Sequence, residues 1–233
     1  METAILLTGL AGVLATAAPV IFAAIGETFS ERAGVTNLSV NGLILLSAMA
    51  GFAAAYTTGS LFLGFLAGAV IGALVSGIVA FASITLKQSQ VAVGFVLALM
   101  CRDLAYFLGN PFMGQSGPRV PSMPIPVLSD IPVLGTLFFS HTPTVYASFV
   151  LIGVGFWWMF KTKPGLMLQG IGERPAAAYV RGANVNRLRY FYTMFGGALD
   201  GLAGPMYSLS EKAGWKGTLS GLDGIGWIAL AIT

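Results

Sequence analysis

The chain has 233 residues, of which 56% are hydrophobic and only 9% charged, with a mean hydropathy of +0.82. Soluble globular domains carry about 25% charged residues, so this composition excludes a water-soluble protein and points to a membrane-embedded one. The net charge of +3 and pI near 9.1 fit basic residues gathered in cytoplasmic loops better than a nucleic-acid-binding surface.

The first apolar run, 3–26, lacks the basic leading region of a secretory signal and is too long for one, so it reads as a retained helix. A polar break follows at 27–37. No charged residue occurs between Arg32 and Lys87, which leaves room for two spans of about 20 residues each. These are 38–56 and 61–86, a helical hairpin joined by Thr57-Thr58-Gly59-Ser60. A fourth span, 91–108, contains Arg102 and Asp103, read as a pair near the membrane surface.

Seven prolines fall within 110–143, a density that forbids a continuous helix. Short apolar pieces there, such as 131–139, are expected on or dipping into the membrane surface. A fifth span covers 144–160 and a sixth 190–209. The last apolar piece, 225–233, is too short to cross, so the chain is expected to stop inside a further helix of a longer protein. The predicted fold is all-α, a polytopic transmembrane helical bundle of six complete spans plus a truncated seventh, forming one domain over 1–233.

Orientation follows from the basic residues. Six of the twelve Lys and Arg residues lie between Lys161 and Arg189, which places 161–189 in the cytoplasm and makes 110–143 an extracytoplasmic loop. Lys87 is then inside, the Thr57–Ser60 turn outside, the 27–37 break inside and Met1 outside. Within the basic segment, Glu173 and Pro175 suit a helix start, Ala176-Ala177-Ala178 suits a helix and Gly182 suits its end. From composition alone this is either a docking surface for another protein or a loop helix held by anionic headgroups.

Polar residues at membrane depth mark pathways, partners or helix breaks. Asn37, Asn41 and Ser47 offer donors and acceptors to a polyhydroxylated solute, or hydrogen bonds between packed helices. Asp200 faces either a route or a basic partner. Gly64, Gly68, Gly72, Ser76 and Ala80 repeat every four residues and read as a close-packing face. Phe156-Trp157-Trp158, just before Lys161, suits an interfacial aromatic belt. The single histidine, His141, is read as a loop residue and supports no metal or catalytic constellation, so no metal site and no cofactor are expected. The single cysteine, Cys101, is a packing residue. Gly214-Trp215-Lys216-Gly217-Thr218 lacks the spacing of a phosphate-binding loop, so the chain is not expected to bind ATP or to be an enzyme.

The run Gly172-Glu173-Arg174-Pro175-Ala176-Ala177-Ala178-Tyr179-Val180-Arg181-Gly182-Ala183-Asn184-Val185 resembles the cytoplasmic coupling-helix region of ATP-binding cassette (ABC) importer permeases of the branched-chain amino acid, ribose and nucleoside superfamily. The segment from Ala18 through Gly26-Glu27 and Ser30-Glu31-Arg32 to Asn37-Leu38 is similar to the first segment of its nucleoside and simple-sugar branch. The pieces 128–135, 162–165, 196–204 and 226–231 match in order, so the resemblance covers nearly the whole chain. Two positions depart from the pattern: Asn41 stands where an acidic residue is usual, and Asp200 where a small apolar one is.

The resemblance implies a permease subunit of a bacterial cell (inner) membrane importer for nucleosides or related purines, or simple sugars. It implies a separate ATPase subunit contacting Gly172, Glu173, Arg174, Pro175, Ala176, Ala177, Ala178, Arg181 and Gly182. A second permease subunit and an extracytoplasmic substrate-binding protein complete the implied assembly. Asn37, Asn41, Ser47 and Asp200 are the candidate substrate-pathway residues. The competing readings are a secondary transporter working without ATP and a non-transporting membrane scaffold.

Overall fold

The computed structural model describes residues 2–212 and 214–233, and the placement expected for Met1 lies outside them. Ten α-helices are present among the described residues, with no strand. The helices α1 (Glu2–Arg32), α2 (Val40–Thr58), α3 (Leu61–Ala80), α4 (Gln90–Gly109) and α6 (Pro143–Lys161) are the long apolar ones. Among the described residues five stretches, one on each of these helices, are long and apolar enough to cross a membrane: Leu6–Arg32, Val40–Thr58, Leu61–Thr85, Gln90–Phe112 and Pro143–Lys161. The chain is a multi-pass membrane protein with an all-α bundle. The short helices are α5 (Leu134–Phe138), α7 (Lys163–Glu173), α8 (Pro175–Val180) and α10 (Ile225–Ile232).

The bundle is organised around α9 (Val185–Pro205), which continues as a π-helical turn over Met206–Glu211. This helix is not among the five apolar stretches, because it carries Arg187, Arg189, Asp200 and four glycines. It nevertheless shares their depth. Gly77 faces Met194, Gly72 faces Gly197 and Gly201, and Gly64 faces Leu209, so α3 and α9 run antiparallel along their lengths. On another side Gly26 of α1 meets Gly196, and Gly204 meets Ser47 of α2.

The four-residue repeat of α3 explains the closest of these contacts. A Cβ at Gly72 would run into the Gly197 carbonyl, and one at Gly68 would stand 2.6 Å from the Gly201 carbonyl. Only residues without a side chain allow two backbones this near, and the proximity is what gives a helix pair in lipid its dispersion attraction. The α2–α4 pair uses the same device, with Gly42 against the carbonyl of Ala98.

One end of the bundle gathers Arg32, Gly34, Thr85, Gln90, Gly172 and Arg189. Thr85 and Tyr190 share a hydroxyl–hydroxyl hydrogen bond of 2.6 Å, and Gln90 accepts from the Thr36 N–H at 2.9 Å. At the other end, Gly59 (φ +70°) closes the α2–α3 turn. The proline-rich segment folds over that end, where Val120 donates to the Leu209 carbonyl at 2.9 Å and Gly114 to the Trp215 carbonyl at 3.1 Å.

Two sequence expectations change, and a helix that the sequence did not indicate is added. The polar break begins later than residue 27, because α1 runs on to Arg32, and Glu27 lies inside it, fully buried. Trp158 does not sit in an outward belt but packs against Phe29 and Tyr192, at ring separations of 5.2 and 5.7 Å, while Phe156 and Trp157 stay exposed. Residues 163–173 form a helix despite three glycines, because Leu168 and Ile171 are fully buried against the bundle.

Gly72→Leu is expected to destabilise the protein by roughly 1–3 kcal/mol or more through overpacking at α9. Gly153→Leu, where a side chain meets nothing within 4 Å, should be neutral. The unfolding midpoint in detergent compares the two.

Candidate functional site

Two regions hold the residues singled out from the sequence. The first is the short-helix unit between α6 and α9. Thr162 ends α6 and caps α7, its hydroxyl accepting from the Gly165 N–H at 3.2 Å. The backbone of Gly165 lies against the carbonyls of Trp158 and Met159, and that of Gly172 against the carbonyl of Arg32. Gln169 adds a hydrogen bond to the Met159 carbonyl at 2.9 Å. Helix α7 is thereby fixed to both α6 and the end of α1.

Arg174 breaks the helical path (φ −138°, ψ 69°), and Pro175 restarts it as α8. The fixed φ of proline and its missing N–H suit this first position. Gly182 (φ +87°) ends the helix, its N–H bonding the Tyr179 carbonyl at 2.8 Å while Ala183 bonds the Ala178 carbonyl at 3.1 Å. Asn184 then caps α9 by accepting from the Arg187 N–H at 3.2 Å.

Glu173, Arg174, Pro175, Ala176, Ala177, Arg181 and Gly182 are exposed, whereas Gly172 and Ala178 are half-buried. Tyr179 and Val180 are 73% and 85% exposed, an apolar pair on an otherwise basic tip. A groove of about 410 Å³ separates α7 from α8, lined by Leu166, Met167, Gly170, Arg174, Ala177 and Arg181.

The base of this unit is tied into the bundle by a residue that the sequence reading did not single out. Arg189 donates from Nε to the Ala33 carbonyl (2.9 Å) and from Nη2 to the Gly34 carbonyl (2.6 Å). Gln90 of α4 donates to that same Gly34 carbonyl at 3.2 Å. The α1–α2 loop is therefore held by α9 on one side and α4 on the other. Its signal in the sequence was a lone arginine among several.

The second region is polar and buried. Asn37 is fully enclosed, donating from Nδ2 to Ser76 Oγ (2.9 Å) and from its backbone to Glu27 Oε1 (2.7 Å), while its Oδ1 accepts from Ser39. Asp200 lies close by on α9, also fully buried, with its Oδ1 against Gly26. Asn37 and Asp200 are thus brought into one neighbourhood.

Asn41 and Ser47 lie apart from it. Asn41 Oδ1 accepts the N–H groups of Gly224 (2.8 Å) and Gly226 (3.2 Å), and its Nδ2 donates to Asp223 at 2.8 Å. It therefore holds the start of α10 and needs both the donor and the acceptor of an amide. A carboxylate here would face Asp223 with no proton to give. Ser47 donates to the Ile44 carbonyl at 3.0 Å and lies against Gly204. Arg102 bonds Asp103 at 3.0 Å, as expected, and lies 3.9 Å from Asp223. Glu27 and Ser30 on α1 and Thr193 on α9, all fully buried, were not picked out, although Glu27 and Ser30 are one helical turn apart on a single face.

Comparison with known proteins adds an independent view. The family described as branched-chain amino acid transport system / permease component matches residues 9–233. A putative glucose ABC transporter permease protein of Haloferax volcanii is 34% identical over 91% of this chain and 65% of its own length. A nucleoside ABC transporter permease protein of Lactococcus lactis is 33% identical over 95% of this chain and 73% of its own. A guanosine ABC transporter permease protein of Bacillus subtilis is 34% identical over 94% and 72%. The chain thus spans about two thirds to three quarters of the length of these relatives. No solved structure matches it.

Asn41→Ala removes the partner of two N–H groups and of Asp223. It is expected to destabilise the docking of α10 by about 1–3 kcal/mol, seen as a lower unfolding midpoint and faster proteolysis between 214 and 224.

Proposed function

Because this chain belongs to the branched-chain amino acid transport system / permease component family, we propose that it is the membrane-spanning permease subunit of an ABC importer. In this reading it works with a separate ATPase subunit, a second permease subunit and an extracytoplasmic substrate-binding protein, in a bacterial cell membrane. The end carrying Arg32, Lys87 and the α7–α8 unit faces the cytoplasm, as its excess of Lys and Arg supports. The substrate is a nucleoside or related purine, with simple sugars second. Named relatives of both kinds, at closely similar identity, support that pairing.

The observation that carries the reading is the form of α8, which stands exposed at its tip and anchored at its base. Its apolar Tyr179 and Val180, flanked by Arg174 and Arg181, offer a partner both contact area and charge. The ATPase subunit is proposed to seat on Gly172, Glu173, Arg174, Pro175, Ala176, Ala177, Ala178, Arg181 and Gly182. Movement of this unit has two routes into the bundle. One is the backbone contact of Gly172 with Arg32; the other is the pair of Arg189 hydrogen bonds to the α1–α2 loop. That loop bonds Gln90 of α4, so the starts of α2 and α4 and the end of α1 shift with α9. Such a chain of stiff elements lets a partner's binding free energy bias one arrangement over another.

The polar residues at depth, Asn37, Asn41, Ser47 and Asp200, are proposed to border the route. All four are buried in this arrangement, so the proposed route would open only when neighbouring helices part.

Arg174→Glu, alone or with Glu173→Lys, should lower recovery of the ATPase subunit from native membranes at least tenfold and uptake in proportion. Equal recovery with the unaltered chain at equal abundance would sink the docking assignment. Arg189→Ala should behave differently, retaining the ATPase and its hydrolysis while uptake per ATP falls several-fold. Competition of guanosine, adenosine, ribose and glucose for uptake then ranks the substrate classes.

A further inference from the structure

Helix α4 carries charge at a depth where lipid does not tolerate it. Its apolar stretch is Gln90–Phe112, and Arg102 and Asp103 stand about 18–20 Å along it from Gln90 and about 14–15 Å from Phe112. The pair is therefore at the centre of the span, not near the surface where the sequence reading put it. The two side chains are 34% and 66% exposed. Asp223, 45% exposed, lies 3.9 Å from Arg102 and also accepts from Asn41 at 2.8 Å. A guanidinium and two carboxylates, tied to a buried amide, thus meet at mid-depth without being enclosed.

The helix divides lengthwise into three strips. Gly94, Ala98, Cys101, Ala105 and Gly109 are buried. Val96, Met100, Leu104 and Phe107 form an exposed strip with no polar side chain, which suits lipid. Between them lie Phe95, Leu99, Arg102 and Tyr106, spaced by four, three and four residues, with Asp103 at the margin. Both charges of the span fall on this third strip or its edge, and an ionisable side chain at such depth belongs against water or protein. Opposite it the chain descends from Gly214, beside Phe52, to Asp223, beside Asn41, along about 16 Å of α2. Apart from a 3-10 turn at Gly217–Ser220 this piece is not helical, and irregular backbone is tolerated in a membrane only where it is buried in protein or lines a water-filled cavity. Both ends of the strip are aromatic. Phe95 meets Trp227 and Tyr106 meets Trp215, each at a ring separation of 6.2 Å. The Trp215 Nε1–H, fully buried against Gly109, has no acceptor among the described residues.

We propose that Arg102, Asp103 and Asp223, with the aromatic flanks of this strip, form a solute subsite that takes the vicinal diol of a ribosyl or hexosyl group; the inference rests on the permease reading above. Two neighbouring hydroxyls are two donors that match the two oxygens of one carboxylate, and Arg102 donates to a hydroxyl or ring oxygen. An aromatic face covers the apolar side of a sugar or a base. One positive and two negative groups turn phosphorylated solutes away and admit neutral ones. Through its bond to Asp223, Asn41 joins this subsite to the buried residues of the route.

The test uses the assembled importer in membranes, with Cys101→Ser as background. Leu99→Cys and Tyr106→Cys should react with a charged methanethiosulfonate roughly tenfold faster than Val96→Cys and Leu104→Cys, and guanosine or glucose should slow the first pair only. With the binding protein saturated, uptake of guanosine should exceed that of 2′-deoxyguanosine, or uptake of glucose that of 2-deoxyglucose, roughly fivefold; whichever pair differs tells a nucleoside from a sugar. Asp103→Asn should erase the difference at equal recovery of the ATPase subunit. Should that variant fail to reach the membrane, the labelling and its slowing by solute decide alone. Equal reactivity of all four cysteines, or no slowing by either solute, would overturn the subsite. So would a disulfide joining two copies through Leu99→Cys, which makes the strip an interface between permease subunits. A wild type that carries none of the four solutes overturns the substrate reading and the subsite together, whereas an undiminished preference in Asp103→Asn overturns the subsite alone.

Discussion

Everything in this bundle depends on how closely α9 approaches its neighbours. In lipid there is no hydrophobic gain from bringing two apolar helices together, so contact must come from backbone proximity and a few polar links. Gly68, Gly72 and Ser76 of α3 meet Gly197, Gly201 and Pro205, while Gly26 meets Gly196 and Gly204 meets Ser47. A helix that is comparatively polar by composition is thereby enclosed on three sides. Its two arginines lie at one end, Arg187 exposed and Arg189 bonded to the α1–α2 loop, and Asp200 is sealed inside.

That enclosure gives the exposed end its mechanical character. The α7–α8 unit carries few buried residues of its own, yet both ends of it connect to α-helices packed in the interior. Gly172 rests on α1, and the chain passes directly from Asn184 into α9. An arginine with two backbone acceptors is a stiffer link than a surface ion pair, because the planar guanidinium fixes direction as well as distance. Displacement at the tip therefore reaches the interior through few adjustable joints.

Most of the architecture was legible in the sequence because membrane helices announce themselves by length and apolarity. The α2–α3 turn, the four-residue packing face, the helix at 175–180 and its glycine stop all stand where the residues placed them. What was hidden depended on tertiary contact. Helix α7 was not legible as an element, since Lys163-Pro164-Gly165 suits a turn as well as a helix start, and the burial of Leu168 and Ile171 decides for the helix. The hold of Asn41 on α10 was hidden, since an amide offers the same groups to a sugar as to the free N–H groups of a helix start 183 residues away. Glu27 reads as part of a loop because a buried carboxylate in a span is rare, and the N–H of Asn37 that accommodates it comes from a loop folding back.

The Arg189 link also constrains how the protein is built. The carbonyls of Ala33 and Gly34, just beyond the end of α1, find their guanidinium only in a residue 155 positions or more further along the chain. When α1 and α2 first enter the membrane, the loop between them has neither this partner nor Gln90, and Asn37 has no Ser76 to bond. The buried form of that loop is thus a late product of biogenesis. It is completed after α9 has been synthesised, and the earliest helices must wait in the bilayer as loosely joined pieces until it arrives.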